Sequence, residues 1–380
     1  MITKFDDIRP YTDDEIPAAM KRIAESEYLP ALAKFVFPEK SINEVQALLR
    51  SFKSTHDFQV GVMYTFNKQV IAQTIKNFTY SGFEHLDPAK RYLFISNHRD
   101  IVLDSSLLQN TLHDEGFRTT EITFGNNLMS SQLVIDIGNS NKMFKVARGG
   151  NAREFYLNSL RLSEYIRYAI TEKGESIWIA QRNGRTKDGN DATDQGIIKM
   201  FCMSNMNNLV QSLEELNIAP IAVSYQWEPC DMFKTKELYF SRGGKKYVKQ
   251  KDEDLISILT GITQQKGNVH FSICKPINRN EYNVFVNETP NKFFNLVAGL
   301  VDKQIFENYK LWSSNYIAHD IRSGTSTFAH YYAVEEKEKF MQRFHHILSQ
   351  IEGDKEVISS IFLGIYANPV EKMKKQAPDR

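Results

Sequence analysis

From residue 82 to 274 the chain alternates short runs of β-type residues with stretches of helical period, a pattern few folds accept. Strands are expected at 92–96, 120–124, 143–146, 176–180, 219–225 and 269–274. Helices fall between them, the clearest over 152–173. A helical crossover lets successive strands run parallel, so the expectation is an α/β fold with a mostly parallel central sheet flanked by helices. In such sheets ligands gather on loops that leave the carboxyl ends of strands.

The flanks read differently. Residues 1–80 are expected to form an N-terminal helical bundle. Thr12 with Glu15 and Ser41 with Glu44 have capping-box spacing. A third helix is expected over 58–78, where Phe58, Val62, Phe66, Val70 and Ile71 follow helical period. Residues 81–280 make the α/β domain. Residues 281–380 return to helix and are expected to pack on it, with apolar stretches at 293–301 and 357–367 and a charged amphipathic one at 335–350.

Composition sets limits. A hydrophobic fraction of 42% with 12% aromatics supplies a sizeable core. Net charge is +1, which gives no global attraction to nucleic acid or to an anionic membrane. Cys202, Cys230 and Cys274 fit neither a disulfide framework nor zinc spacing, so a reducing cytoplasm is the expected setting. The N-terminus does not read as a signal peptide. The longest nearly apolar run, 357–367, falls short of the roughly 18 residues a membrane helix needs. A soluble or peripheral protein is expected. The lysine-rich segments 243–251 and 372–375 read as solvated surface, with contact to anionic lipid as the lesser alternative.

The stretch 92–108 carries the densest chemistry. An apolar run ends at Ser96, a short loop exposes His98, and Asp104 stands where a helix begins. An imidazole and two carboxylates, Asp100 and Asp104, lie within a few residues, enough for a general base and the group that orients it. The plain alternative is Asp104 as a helix cap and Arg99 with Asp100 as a solvated ion pair. His98-Arg99-Asp100 also spells the catalytic-loop triplet of protein kinases, but Ser105 stands where that motif needs Asn, and no Asp-Phe-Gly follows.

Three further strand ends carry cations or an unusual residue. Arg148-Gly149-Gly150 ends one strand, and an arginine there can grip a phosphate while glycines admit a ligand to the backbone. Gln181-Arg182-Asn183-Gly184-Arg185 follows another, a composition suited to a polyanion. Pro220 sits near the start of a third, where no ladder donor is lost.

In order and spacing these blocks resemble the glycerolipid acyltransferases, which include glycerol-3-phosphate and 1-acylglycerol-3-phosphate acyltransferases. The four blocks of that family, Asn-His-x4-Asp, an apolar strand ending Phe-x-x-Arg, Phe-x-Glu-Gly-x-Arg and an apolar strand with Pro, find counterparts between residues 82 and 229. Phe124-Gly125-Asn126-Asn127-Leu128 and Ser224-Tyr225 resemble runs of the glycerol-3-phosphate branch. Two departures stand out: five residues separate His98 from Asp104, and Gln181 falls where the family has Glu.

The resemblance implies transfer of a fatty acyl group from acyl-CoA or acyl carrier protein to a hydroxyl, with no cofactor. His98 would be the general base and Asp104, or else Asp100, its orienting carboxylate. Arg148, Gln181, Arg182, Arg185 and Pro220 would bind substrate. The acceptor would be glycerol-3-phosphate, 1-acylglycerol-3-phosphate or a related lyso-lipid, with a lyso-aminolipid as an alternative. Amphiphilic substrates imply a peripheral position on the inner face of the membrane, and no nucleic-acid partner. The rival of a different class is a non-catalytic lipid-binding protein of the same fold. A metal site is not expected, since the nine histidines show no ligand spacing beyond the adjacent His345 and His346.

Overall fold

The computed structural model describes residues 4–245, 247–250 and 252–376, with the side chains of 375 and 376 excepted. Expectations that fall on Met1, Ile2, Thr3, Lys246, Lys251 and Lys375 lie outside it.

Seven strands form one sheet: β1 (Ile75–Ser81), β2 (Leu93–Ser96), β3 (Glu121–Gly125), β4 (Met143–Val146), β5 (Ile177–Ala180), β6 (Ile218–Tyr225) and β7 (Gly267–Ile273). Their spatial order is β1-β7-β6-β2-β5-β3-β4. All pairings are parallel except β6 with β7. Six of the strands lie where the sequence pattern places them, and the fold is α/β with helices on both faces.

Burial on both sides explains why the central strands read as unbroken apolar runs. Leu93, Ile95, Ile177 and Ile179 point into one core, lined by Phe201, Val297 and Val301. Phe94, Trp178, Ile221 and Val223 point into the other, against Leu103, Leu107 and Leu108. The amino-terminal helices have their own core around Ile16, Met20, Leu49 and Phe58. Ser41 and Glu44 form the expected reciprocal cap on the helix Ile42–Ser51. A fourth core unites the helices Ser313–Ser323, Val334–Gln350 and Lys355–Gln376.

The sequence reading missed one strand. The helix expected over 58–78 is a π-helical turn, Gln59–Tyr64, followed by Thr65–Thr74, and it stops there. Ile75–Ser81 is an edge strand that buries Ile75 and, from Asn77 on, alternates exposed and partly covered residues. Aromatic and β-branched residues favour a half-buried pleat, and β7 supplies the pairing partner from 190 residues away, so a local pattern could not reveal it. The sheet therefore begins inside the segment expected to be wholly helical.

His270 on β7 joins this edge, with Nδ1 2.8 Å from Thr79 Oγ1 and Nε2 3.3 Å from Ser81 Oγ. Burial, helped by the Lys310 cation, pushes its imidazole down to about 4 from the usual 6.5. Between those values the unfolded chain binds more protons than the folded one, so this stability is complete above 6.5 and is lost as the pH falls toward 4. Thermal unfolding from pH 7 to 4 is expected to show a falling Tm, with a shallower fall for His270→Gln. Identical slopes would remove His270 from the account.

Candidate active site

His98 lies two residues beyond the end of β2, and its loop is pinned on both sides. Asn97 extends the ladder with its side chain: Oδ1 accepts Val223 N–H at 2.7 Å and Nδ2 donates to Val223 O at 2.9 Å. Thr186 N–H donates to His98 O at 2.8 Å, tying on the loop that follows β5. The His98 ring meets Trp178 edge to face, with centroids 5.6 Å apart.

The carboxylate that meets His98 is Asp104. Its Oδ2 stands 2.9 Å from His98 Nδ1. The same oxygen accepts the backbone N–H of Arg99 at 2.5 Å and of Asp100 at 2.9 Å. Its Oδ1 accepts the Tyr225 hydroxyl at 2.8 Å. Asp104 has no exposure, while the His98 side chain keeps 13%. Burial opposes the charge on Asp104, but hydrogen bonds from His98, the Asp100 amide and Tyr225 win, and the carboxyl titrates below its usual value. Burial and the Asp104 charge push Tyr225 well up, so it remains a donor. A carboxylate acceptor at Nδ1 favours the tautomer with its proton there, leaving Nε2 to accept. Among the described residues nothing bonds Nε2.

Asp100 has a different task. Its Oδ1 accepts the N–H groups of Val102 and Leu103, both at 2.9 Å, and so caps the helix Leu103–Asp114. Asp104 is therefore the second residue of that helix and not its cap. The solvated pair of Arg99 with Asp100 is also absent. Arg99 is 1% exposed and donates to Asp191 Oδ2 at 2.5 Å and Glu228 Oε2 at 3.1 Å. Lys234 completes the cluster with bonds to Arg99 O at 2.7 Å and Glu228 Oε1 at 2.5 Å.

The other expected site residues are placed unevenly. Arg148 is exposed beyond β4, and its Nε lies 2.8 Å from where a Cβ on Gly125 would stand, so the side chain leans over the end of β3. Arg182 is half-buried beyond β5. Arg185 turns inward, with a buried Nη1 that has no hydrogen-bond partner, and its charge acts on the Cys230 thiol. Gln181 is buried, its Nε2 likewise without a partner. Pro220 is buried inside β6 opposite Ile95, so it reaches a bound molecule only through the strand it shapes.

The loop 181–194 is held from outside by the helix Lys355–Gln376. Asn368 Nδ2 donates to Asp188 O at 2.7 Å, and Lys372 reaches Asp191 O. Lys372 is thus half-buried and engaged, where the sequence suggested free surface. Asp191, Tyr225, Glu228 and Lys234 escaped the sequence reading as parts of the site. Tyr225 had a weak signal in Ser224-Tyr225. The rest had none, since their partners lie 90 or more residues away except within the pair Glu228–Lys234.

Among the described residues no group of three or more His, Cys, Asp or Glu side chains could hold a metal ion. No helix there is long and apolar enough to cross a membrane.

No family model matches the chain, and no curated protein does. Among solved structures, the 1-acyl-sn-glycerophosphate (LPA) acyltransferase PlsC from Thermotoga maritima is similar at a TM-score of 0.36 and 12% identity, over 78% of this chain and 96% of that one. A likeness of that size leaves the chemistry to be argued from this chain's own residues.

Arg99→Met should destabilise the fold by about 3–5 kcal/mol, because it leaves two buried carboxylates, Asp191 and Glu228, with only the Lys234 ammonium to offset them. Denaturant unfolding measures this, with Arg182→Ala as a near-neutral control. A loss under about 1 kcal/mol would mean that the cluster does not hold the loop.

Proposed function

We propose that the chain is an O-acyltransferase that moves a fatty acyl group from acyl-CoA or acyl carrier protein to a hydroxyl of glycerol-3-phosphate, 1-acylglycerol-3-phosphate or a related lyso-lipid. The observation that carries this reading is the His98–Asp104 pair: a buried carboxylate on Nδ1 and a free Nε2, at the carboxyl end of a parallel strand. The ordered resemblance of the four sequence blocks supports the substrate class.

In the proposed reaction Nε2 takes the acceptor's hydroxyl proton as its oxygen attacks the thioester carbonyl. The new C–O bond forms, the C–S bond breaks, and the imidazolium returns the proton to the departing thiolate. Asp104 holds the tautomer and stabilises the imidazolium, while Tyr225 and the two backbone amides keep Asp104 in place. Arg148 and Arg182 hold the acceptor's anionic headgroup. Gln181 Nε2, a buried donor without a partner, is suited to a polar group of the bound acceptor. No cofactor is needed, and the amphiphilic acceptor is met at a membrane surface.

A second reading changes only the acceptor. Gln181 in place of a carboxylate alters the charge of the loop after β5, and this favours a lyso-aminolipid.

The test supplies purified protein with long-chain acyl-CoA or acyl carrier protein and a panel of lyso-acceptors, with products read by mass spectrometry. Transfer is expected for at least one pairing. Lipid binding with no transfer from any donor would leave the non-catalytic alternative. His98→Ala is expected to lower kcat by about 10²–10⁴ with an unchanged fold. Residual activity above about a tenth would exclude the general-base role. Asp104→Asn should cost orders of magnitude in kcat and Asp100→Asn far less, because only Asp104 touches the ring. Arg148→Ala and Arg182→Ala should raise the acceptor's KM more than the donor's. The reverse would assign these arginines to the donor's phosphates.

A further inference from the structure

Two apolar surface features stand at the carboxyl edge of the parallel strands. The first begins the helix Ala152–Tyr168. Every residue from 147 to 158 is exposed, so the first two helical turns project from the body. Within them Phe155, Tyr156 and Leu157 are 66, 57 and 51% exposed. Consecutive helical residues are about 100° apart, so these three cover more than half the circumference. Exposed Arg148 and Arg153 flank them, neither in an ion pair among the described residues.

The second feature is the helix Glu253–Thr263. Its inner face packs on the His98 loop, where a Cβ on Gly261 would stand 2.2 Å from Asp100 Oδ2, and on the turn after β6, where Cys230 Sγ donates to Ser257 O. Its outer face shows Leu255, Ile256 and Leu259, 55, 47 and 54% exposed. The segment before it carries Arg242 and Lys245, and Lys249 in an ion pair with Asp254 of the helix's first turn, with Val248 80% exposed. This helix leads into β7, next to β6, while the projecting turns follow β4. At roughly 4.8 Å per strand, β6 and β4 are about 19 Å apart, with β2 and His98 between them.

We propose that these two features are the docking surface for an anionic lipid bilayer, which seats the His98 edge against the membrane. A helix that packs on protein buries one stripe and keeps the opposite face polar. Phe155, Tyr156 and Leu157 spread around more than half the girth of the tip, with Arg153 and Glu154 in the turn before them, and a flat protein face would leave much of that apolar surface wet. A fluid acyl layer surrounds such a tip on all sides. Phenylalanine, tyrosine and leucine flanked by arginine suit the boundary between headgroup and acyl chain. The cations beside both features complement a negative surface. The proposal does not rest on acyl transfer, because bilayer binding is read without any reaction.

The test is sedimentation with vesicles of phosphatidylcholine alone and of equal parts phosphatidylcholine and phosphatidylglycerol. The native chain should bind the mixed vesicles, less as salt rises. Phe155→Glu with Leu157→Glu, and separately Leu255→Glu with Leu259→Glu, should each lower partition at least about tenfold, from the burial lost per side chain. Circular dichroism and Tm should be unchanged; if a pair fails to fold, the corresponding alanine pair gives the readout. Arg153→Glu should weaken binding to the mixed vesicles only. The proposal falls if the native chain binds neither vesicle at low salt, or if both double variants bind like it. It also falls if the Phe155/Leu157 pair converts a dimer to monomer in the ultracentrifuge without affecting vesicles, since a second copy would then be the occupant.

Discussion

The Asp104 carboxylate is the point on which the site geometry depends. A fully buried negative charge is tolerated only where it is well bonded, and this one has four donors: the His98 ring, two backbone amides and the Tyr225 hydroxyl. These donors come from two elements that close on the helix carrying the carboxylate. The helix Leu103–Asp114 fixes the carboxylate, the loop after β2 brings the amides and the imidazole, and β6 brings the tyrosine. The charge beside the imidazole is thus also what holds the loop around it.

Behind this carboxylate lies a second buried group of charges, Arg99, Asp191, Glu228 and Lys234. Such clusters are weak sources of net stability, because desolvation offsets attraction. Their effect here is geometric. Asp191 belongs to the loop after β5, Glu228 to the turn after β6, and Arg99 to the His98 loop itself. One guanidinium therefore sets the spacing of three loops on the same sheet edge. The C-terminal helix adds an outer tie through Asn368 and Lys372, so the carboxyl-terminal region forms part of the wall of the candidate site.

The likeness to the glycerolipid acyltransferases lies in ordered blocks of residues, and the structure gives those blocks unequal roles. Asn97, at first only a neighbour of His98, extends a strand ladder with its side chain. Arg185 and Pro220 are turned into the body, whereas Arg148 and Arg182 stay nearer solvent. A motif records which residues are present, and burial decides which of them a solute can meet.

The sequence by itself determined the alternation of strand and helix, six of the seven strands, the two-sided burial of the central ones and the short stretch that holds His98 and Asp104. These are local matters: periodicity, capping and residues a few positions apart. Tertiary structure alone decided the rest. The edge strand β1 exists because distant β7 pairs with it, and the choice of Asp104 over Asp100 follows from a helix end that turns one carboxylate inward and uses the other as a cap. Arg99 reads as surface charge until loops 92 and 129 residues away supply its buried partners. Hydrogen bonds and ion pairs in a buried site are set by three-dimensional proximity, and the spacing of residues along the chain carries little record of it.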